Sequence, residues 1–131
     1  MPPGALPQRY PEPAFDAVLE RSDDGLVVSR AVRADAAWCA GHFPGDPILP
    51  GVLQIEAMAQ AVVAWVGEAG RVELIGLDRV RFRRPVRPGD ELVVQVVQAS
   101  ERGPQRLFKG TARVDGQPSC QATLRVFVHP A

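Results

Sequence analysis

Apolar positions along the chain fall into short runs separated by turn formers, with one longer exception. Residues 15–19 are apolar around one aspartate, and residues 26–32 alternate around Ser29 and Arg30. The Asp24-Gly25 pair between them predicts a hairpin. Further on, residues 73–84, 91–100, 106–114 and 120–128 concentrate β-branched side chains, punctuated by Pro88-Gly89-Asp90, Arg102-Gly103-Pro104 and Asp115-Gly116. Four successive strands with such short turns predict an antiparallel meander.

The exception is residues 51–66. Pro50 suits a helix start, Ala, Leu, Met and Gln favour the interior, and Gly67 and Gly70 supply a stop. Val52, Leu53, Ile55, Met58, Val62, Val63 and Val66 point in several directions around that helix, a pattern that predicts burial on all sides. A sheet with one apolar face wrapped around a single apolar helix accommodates both signals, an α+β architecture. Prolines at 44, 47 and 50 make the preceding stretch a loop. At 131 residues the chain fits one domain, and its first thirteen residues, five of them proline, read as an irregular arm.

Composition narrows the function. Fifteen basic residues balance fifteen acidic ones, so no global charge draws the chain to nucleic acid or an anionic membrane. The longest apolar stretch is interrupted by Gln54, Glu56 and Gln60 and is short for a bilayer span. The N-terminus lacks the layout of a secretory signal, which predicts a cytoplasmic protein. Cys39 and Cys120 are too few for a disulfide framework and are not spaced as a zinc site; buried free thiols are expected. A Cys39–His42 nucleophile pair is conceivable from spacing, but a small apolar role is commoner for such a cysteine.

The chemistry concentrates in "GHFPGDPILPGVLQIEAMAQ", residues 41–60. A carboxylate in a buried helix loses hydration, and desolvation of that kind strengthens a carboxyl group's hold on its proton. Glu56 is therefore a candidate acid, with Gln60 one turn on to hold it. His42 is the nearby group that titrates close to neutrality, held among glycine and prolines whose backbone freedom is small. Gly51 begins the helix, where unpaired N–H groups and the dipole favour negative charge on an oxygen. Base, acid and oxyanion donor together suit removal of a proton α to a carbonyl with loss of a β-hydroxyl, an elimination of water.

This segment resembles the active-site region of the bacterial (3R)-hydroxyacyl-[acyl carrier protein] dehydratases of the FabZ type. "GLDRVRFRRPVRPGDEL", "FKGTARVDG" and "PQRYPEPAFDAVLE" resemble later and earlier parts of the same family, so the likeness covers nearly the whole chain. It implies a hotdog fold, an antiparallel sheet around one long buried helix. It also implies a homodimer with composite active sites, which in the family often assembles further into a trimer of dimers. On this resemblance His42 is the base that removes the C2 proton and Glu56 the acid that assists departure of the 3-hydroxyl. Gly51 is the backbone donor to the thioester carbonyl and Gln60 the acid's polar neighbour. Phe43, Pro44, Val52 and Leu53 shape the acyl tunnel. Glutamate at position 56 favours FabZ over FabA, the branch that also isomerises the double bond.

The resemblance further implies no cofactor, the substrate being carried on the phosphopantetheine of an acyl carrier protein. Arg79, Arg81, Arg83, Arg84 and Arg87 form a local basic region suited to that acidic partner, and strand alternation would send 79, 81 and 83 to one face. A solvated strand face or an inter-subunit salt bridge is the alternative for these arginines. No aromatic stacking platform accompanies them, which disfavours nucleic acid. Two other functions fit the same fold: an acyl thioesterase releasing free acid, and a non-catalytic acyl-binding subunit.

Overall fold

The computed structural model describes residues 15–34 and 47–131. The irregular arm, Cys39, His42, Phe43 and Pro44 lie outside the described residues. Strands β1 (Ala17–Arg21) and β2 (Gly25–Ala31) form the expected hairpin, two residues later at its start than the apolar run suggested. Helix α1 follows at Gly51–Val66, and then β3 (Gly70–Phe82), β4 (Glu91–Arg102), β5 (Gln105–Val114) and β6 (Gln117–Pro130). All pairings are antiparallel, in one sheet of order β1-β2-β4-β5-β6-β3.

The meander is thus partly corrected. Strands β4, β5 and β6 run side by side as expected, but β3 pairs with β6 rather than β4. The helix lies between β2 and β3 in the chain, so the backbone leaves it on the far side of the wrapped sheet and adds β3 to that edge. The return to β4 runs across the end of the sheet through residues 83–90. Leu49 N–H donates to the Val86 carbonyl at 2.7 Å, and both side chains are buried, which ties this crossing to the helix's lead-in.

Period-two alternation supplies the sheet's inner face. Leu26 and Val28 on β2, Leu92, Val94 and Val96 on β4, Phe108 and Ala112 on β5, and Leu124 and Val126 on β6 are all buried against the helix. Complete burial of one such aliphatic side chain contributes about 1.5–3 kcal/mol, so this layer dominates the fold's stability. The helix approaches β5 closely because Gly110 has no side chain: a Cβ there would stand 2.6 Å from Met58 Sδ. At the helix's other end Arg21 donates to the Ala64 and Trp65 carbonyls at 2.9 and 3.1 Å, capping groups that have no intrahelical partner. Trp65 is only partly buried; its ring edge meets Phe108 and its indole N–H donates to the Ser22 carbonyl.

The expectation of a helix buried on all sides needs correcting. One stripe of α1 is uncovered in a single chain: Val52 is 68% exposed, and Leu53, Glu56 and Gln60 beside it are half-buried. These positions share one side of a 3.6-residue helix, whereas Gln54, Ile55, Met58, Ala61 and Val62 turn to the sheet. A six-stranded sheet curls around part of a helix's circumference, and the apolar residues beyond its reach stay open.

Candidate active site

The site begins where the proline-bearing loop becomes helix. Pro50 is the N-cap, extended at φ −55° and ψ 135°, and its carbonyl accepts from Leu53 N–H at 2.9 Å. Gly51 is the first helical residue, with the N-terminal N–H groups directed away from the helix body. Phe82, at the end of β3, covers it so closely that a Cβ on Gly51 would stand 2.5 Å from the ring. The expectation for Gly51 therefore has a steric reason as well: any side chain would push this aromatic ring aside.

Beside this junction opens a cavity of about 710 Å³, walled by Ile48, Leu49, Val52, Ile55, Val80 and Phe82, with Gly51 and Gln54 on its helix side. Its lining is mostly apolar, as in sites that take hydrocarbon groups. Val52 reaches the cavity from the open helix stripe; Leu53, on the same stripe, is not among the cavity's walls. Arg83 and Arg84 stand at its rim.

Glu56 lies on the open stripe rather than in the buried position expected for it. Gln60 Nε2 donates to its Oε1 at 3.4 Å, the contact anticipated from the four-residue spacing. Glu56 is not among the residues that wall the cavity, although it lies one turn beyond Val52 on the same stripe. His42 lies outside the described residues.

The arginine run is not the simple alternating row expected. Asp78 pairs with Thr123 and Arg81 with Gln121, so β3 spends three residues where β6 spends two, and Arg79 takes up the bulge at φ 52°. Arg79 is thereby removed from the row of Arg81 and Arg83. Arg83 Nε donates to Gln121 Oε1 at 2.7 Å, and Arg87 N–H donates to Asp90 Oδ2 at 2.8 Å. His129 contacts Glu73 Oε1 at 2.8 Å and packs on the Phe127 ring. Cys120 is buried, as expected, and burial pushes its thiol up to about 11.

One polar pair was invisible in the sequence. Gln54, which reads only as an interruption of an apolar run, is 2% exposed, and Ser119 Oγ–H donates to its Oε1 at 2.7 Å. The partners lie 65 residues apart, on α1 and β6, and no local pattern signals such a contact.

A long helix on the inner face of a strongly curved antiparallel sheet, with an apolar cavity at the helix start, defines the hotdog class. Solved structures agree: the dehydratase heterocomplex ApeI:P from Xenorhabdus doucetiae superposes with a TM-score of 0.73 over 88% of this chain and 82% of that one, at 22% identity. The ApeI-like family, described as ApeI dehydratase, matches residues 19–121. The 3-hydroxyacyl-[acyl-carrier-protein] dehydratase FabZ of Syntrophobacter fumaroxidans is 39% identical over 92% of this chain and 86% of its own length. That of Cronobacter sakazakii is 44% identical over 91% and 84%. The chain belongs to the FabZ family of 3-hydroxyacyl-[acyl-carrier-protein] dehydratases.

Proposed function

We propose that this protein eliminates water from (3R)-3-hydroxyacyl chains held as thioesters on an acyl carrier protein, giving trans-2-enoyl thioesters, with no metal or nucleotide cofactor. The observation that carries the reading is the helix start itself: Gly51, with no side chain, in the wall of an apolar cavity, with the Glu56–Gln60 pair further along the same helix. His42 takes the C2 proton, and the electron pair moves toward the thioester, whose oxygen gathers charge that the Gly51 N–H stabilises. The C2–C3 double bond forms as the C3–O bond breaks, and Glu56 delivers a proton so that the group leaves as water. Transfer of the proton from His42 back to the carboxylate restores the starting state. Gln60 orients the carboxyl throughout.

Two copies share this chemistry in our reading. The open stripe around Glu56 calls for a cover. Strand β3 is a sheet edge that carries Leu74, Ile75, Leu77, Val80 and Phe82 at 38–58% exposure, an arrangement suited to edge-to-edge pairing with a second copy. A histidine from one subunit then meets the acid of the other, and three such dimers form the larger assembly. Arg83 and Arg84 line the cavity, and together with Arg81 and Arg87 they form the basic region that would meet the acidic carrier protein and the phosphate of its arm. No helix among the described residues is long and apolar enough to cross a membrane. We place the reaction in the cytoplasm.

The test is incubation with a short 3-hydroxyacyl carrier protein, followed by mass spectrometry of the acyl group. Loss of one water with the thioester intact supports the dehydratase. Released free acid would establish a thioesterase instead, and a substrate bound but unchanged would establish an acyl-binding subunit.

A further inference from the structure

We infer that Gln54 is a specificity-determining residue that donates a hydrogen bond to an oxygen on the acyl chain, so that this protein prefers oxygenated acyl chains to plain hydrocarbon ones. The acyl thioester as ligand is taken from the proposed function; the rest follows from the geometry of the pair on α1 and β6.

Ser119 is fully buried, and Gln54 Oε1 is the acceptor of its hydroxyl. Turning the amide over would set Nε2 against the hydroxyl oxygen and give up the bond from Ser119 Oγ–H to Oε1. Ser119 therefore fixes the amide's orientation, with its carbonyl toward β6 and its NH2 away from it. Gln54 is 2% exposed and stands in the wall of the cavity, and its Nε2 has no protein partner among the described residues. The side chains of Ile48, Leu49, Val52, Ile55, Val80 and Phe82 around it offer no acceptor.

A donor in such a wall is satisfied by water while the cavity is open. A hydrocarbon chain that displaces the water leaves the donor unpaired, whereas a ketone or ether oxygen at that depth replaces it. An amide of the carrier arm is a poorer occupant, because it brings an N–H that these side chains cannot accept. One donor in a partly open cavity gives about a tenfold preference, far below the discrimination of fully enclosed sites.

The experiment measures binding of acyl-pantetheine thioethers, which cannot be turned over. A saturated chain is compared by calorimetry with chains of equal length bearing a ketone at successive carbons. Wild type should bind one keto analogue about tenfold more tightly than the hydrocarbon. Gln54→Met, unbranched and similar in length, should bring the ratio to one or below, and Ser119→Ala, which frees the amide to rotate, should give an intermediate ratio. A ratio near one for every analogue in wild type, or one unmoved in both folded variants, overturns the inference. Dehydration of a plain 3-hydroxyacyl carrier protein is assayed separately. Its failure with the keto preference intact removes the dehydratase and leaves Gln54's role standing; turnover without the preference does the reverse.

Discussion

Replacement of Gly51 by alanine tests the oxyanion assignment most directly. The new Cβ would stand 2.5, 2.7 and 3.0 Å from three atoms of the Phe82 ring. Carbon atoms in comfortable contact are about 3.5–4.0 Å apart, so the ring must retreat by roughly 1 Å. Phe82 ends an edge strand and borders the open cavity, which gives the ring room to turn away at low cost. Alanine is also the better helix former, by up to about 1 kcal/mol in an interior turn and less at the first position. Folding stability should therefore change by less than about 1 kcal/mol. Turnover should behave differently, because the methyl group and displaced ring crowd the oxygen's approach to the first helical N–H. Loss of one oxyanion donor costs about 10²–10³ in kcat, or roughly 2.7–4 kcal/mol. The assay pairs a thermal melt with the rise in absorbance of the conjugated enoyl thioester. The double variant Gly51→Ala, Phe82→Ala separates the two causes: the ring's obstruction is removed while the methyl remains, and activity should stay low. A folded Gly51→Ala with wild-type kcat would refute the assignment of Gly51, and full recovery in the double variant would transfer the effect to Phe82.

Four further predictions follow from the same geometry. His42→Ala and Glu56→Gln should each keep the circular-dichroism spectrum and lose turnover by at least about a hundredfold, the scale of removing a positioned acid or base; unaltered kinetics in either variant sinks that residue's role. Gly110→Ala should lower stability by about 1–3 kcal/mol in urea denaturation, because its Cβ would press on Met58 and Leu124, both fully buried and unable to swing aside as Phe82 can. Arg21→Ala should cost about 1 kcal/mol and lower Tm by several degrees, since it uncaps the Ala64 and Trp65 carbonyls; Arg21→Lys should recover less than half, lacking the two-pronged geometry. Cys120 should resist alkylation at pH 8 until the protein unfolds. Its raised pKa also has a sign in stability: between pH 9 and about 11 the unfolded thiol ionises while the folded one does not, so stability should fall as pH rises through that window.

The sequence by itself determined the element types and the helix's limits, Gly51–Val66, because caps, propensity and proline placement act within a few residues. It also determined the Glu56–Gln60 contact, which depends only on helical spacing. Its motif carried the family, since residues 41–60 combine residue types at a spacing that chance does not readily supply. The tertiary structure decided which strand neighbours which: local turns favour β3 beside β4, and only the helix inserted before β3 sends it to the β6 edge. It decided that Arg79 leaves the arginine row, because a bulge arises from the register of two strands and not from either alone. It decided that Glu56 sits on an open stripe, because hydropathy reports that a side chain prefers burial and not whether its own chain supplies the cover. The Gln54–Ser119 pair belongs wholly to this second kind. Two polar residues, distant in the chain, acquire a role when the sheet closes over the helix and sets their side chains against each other.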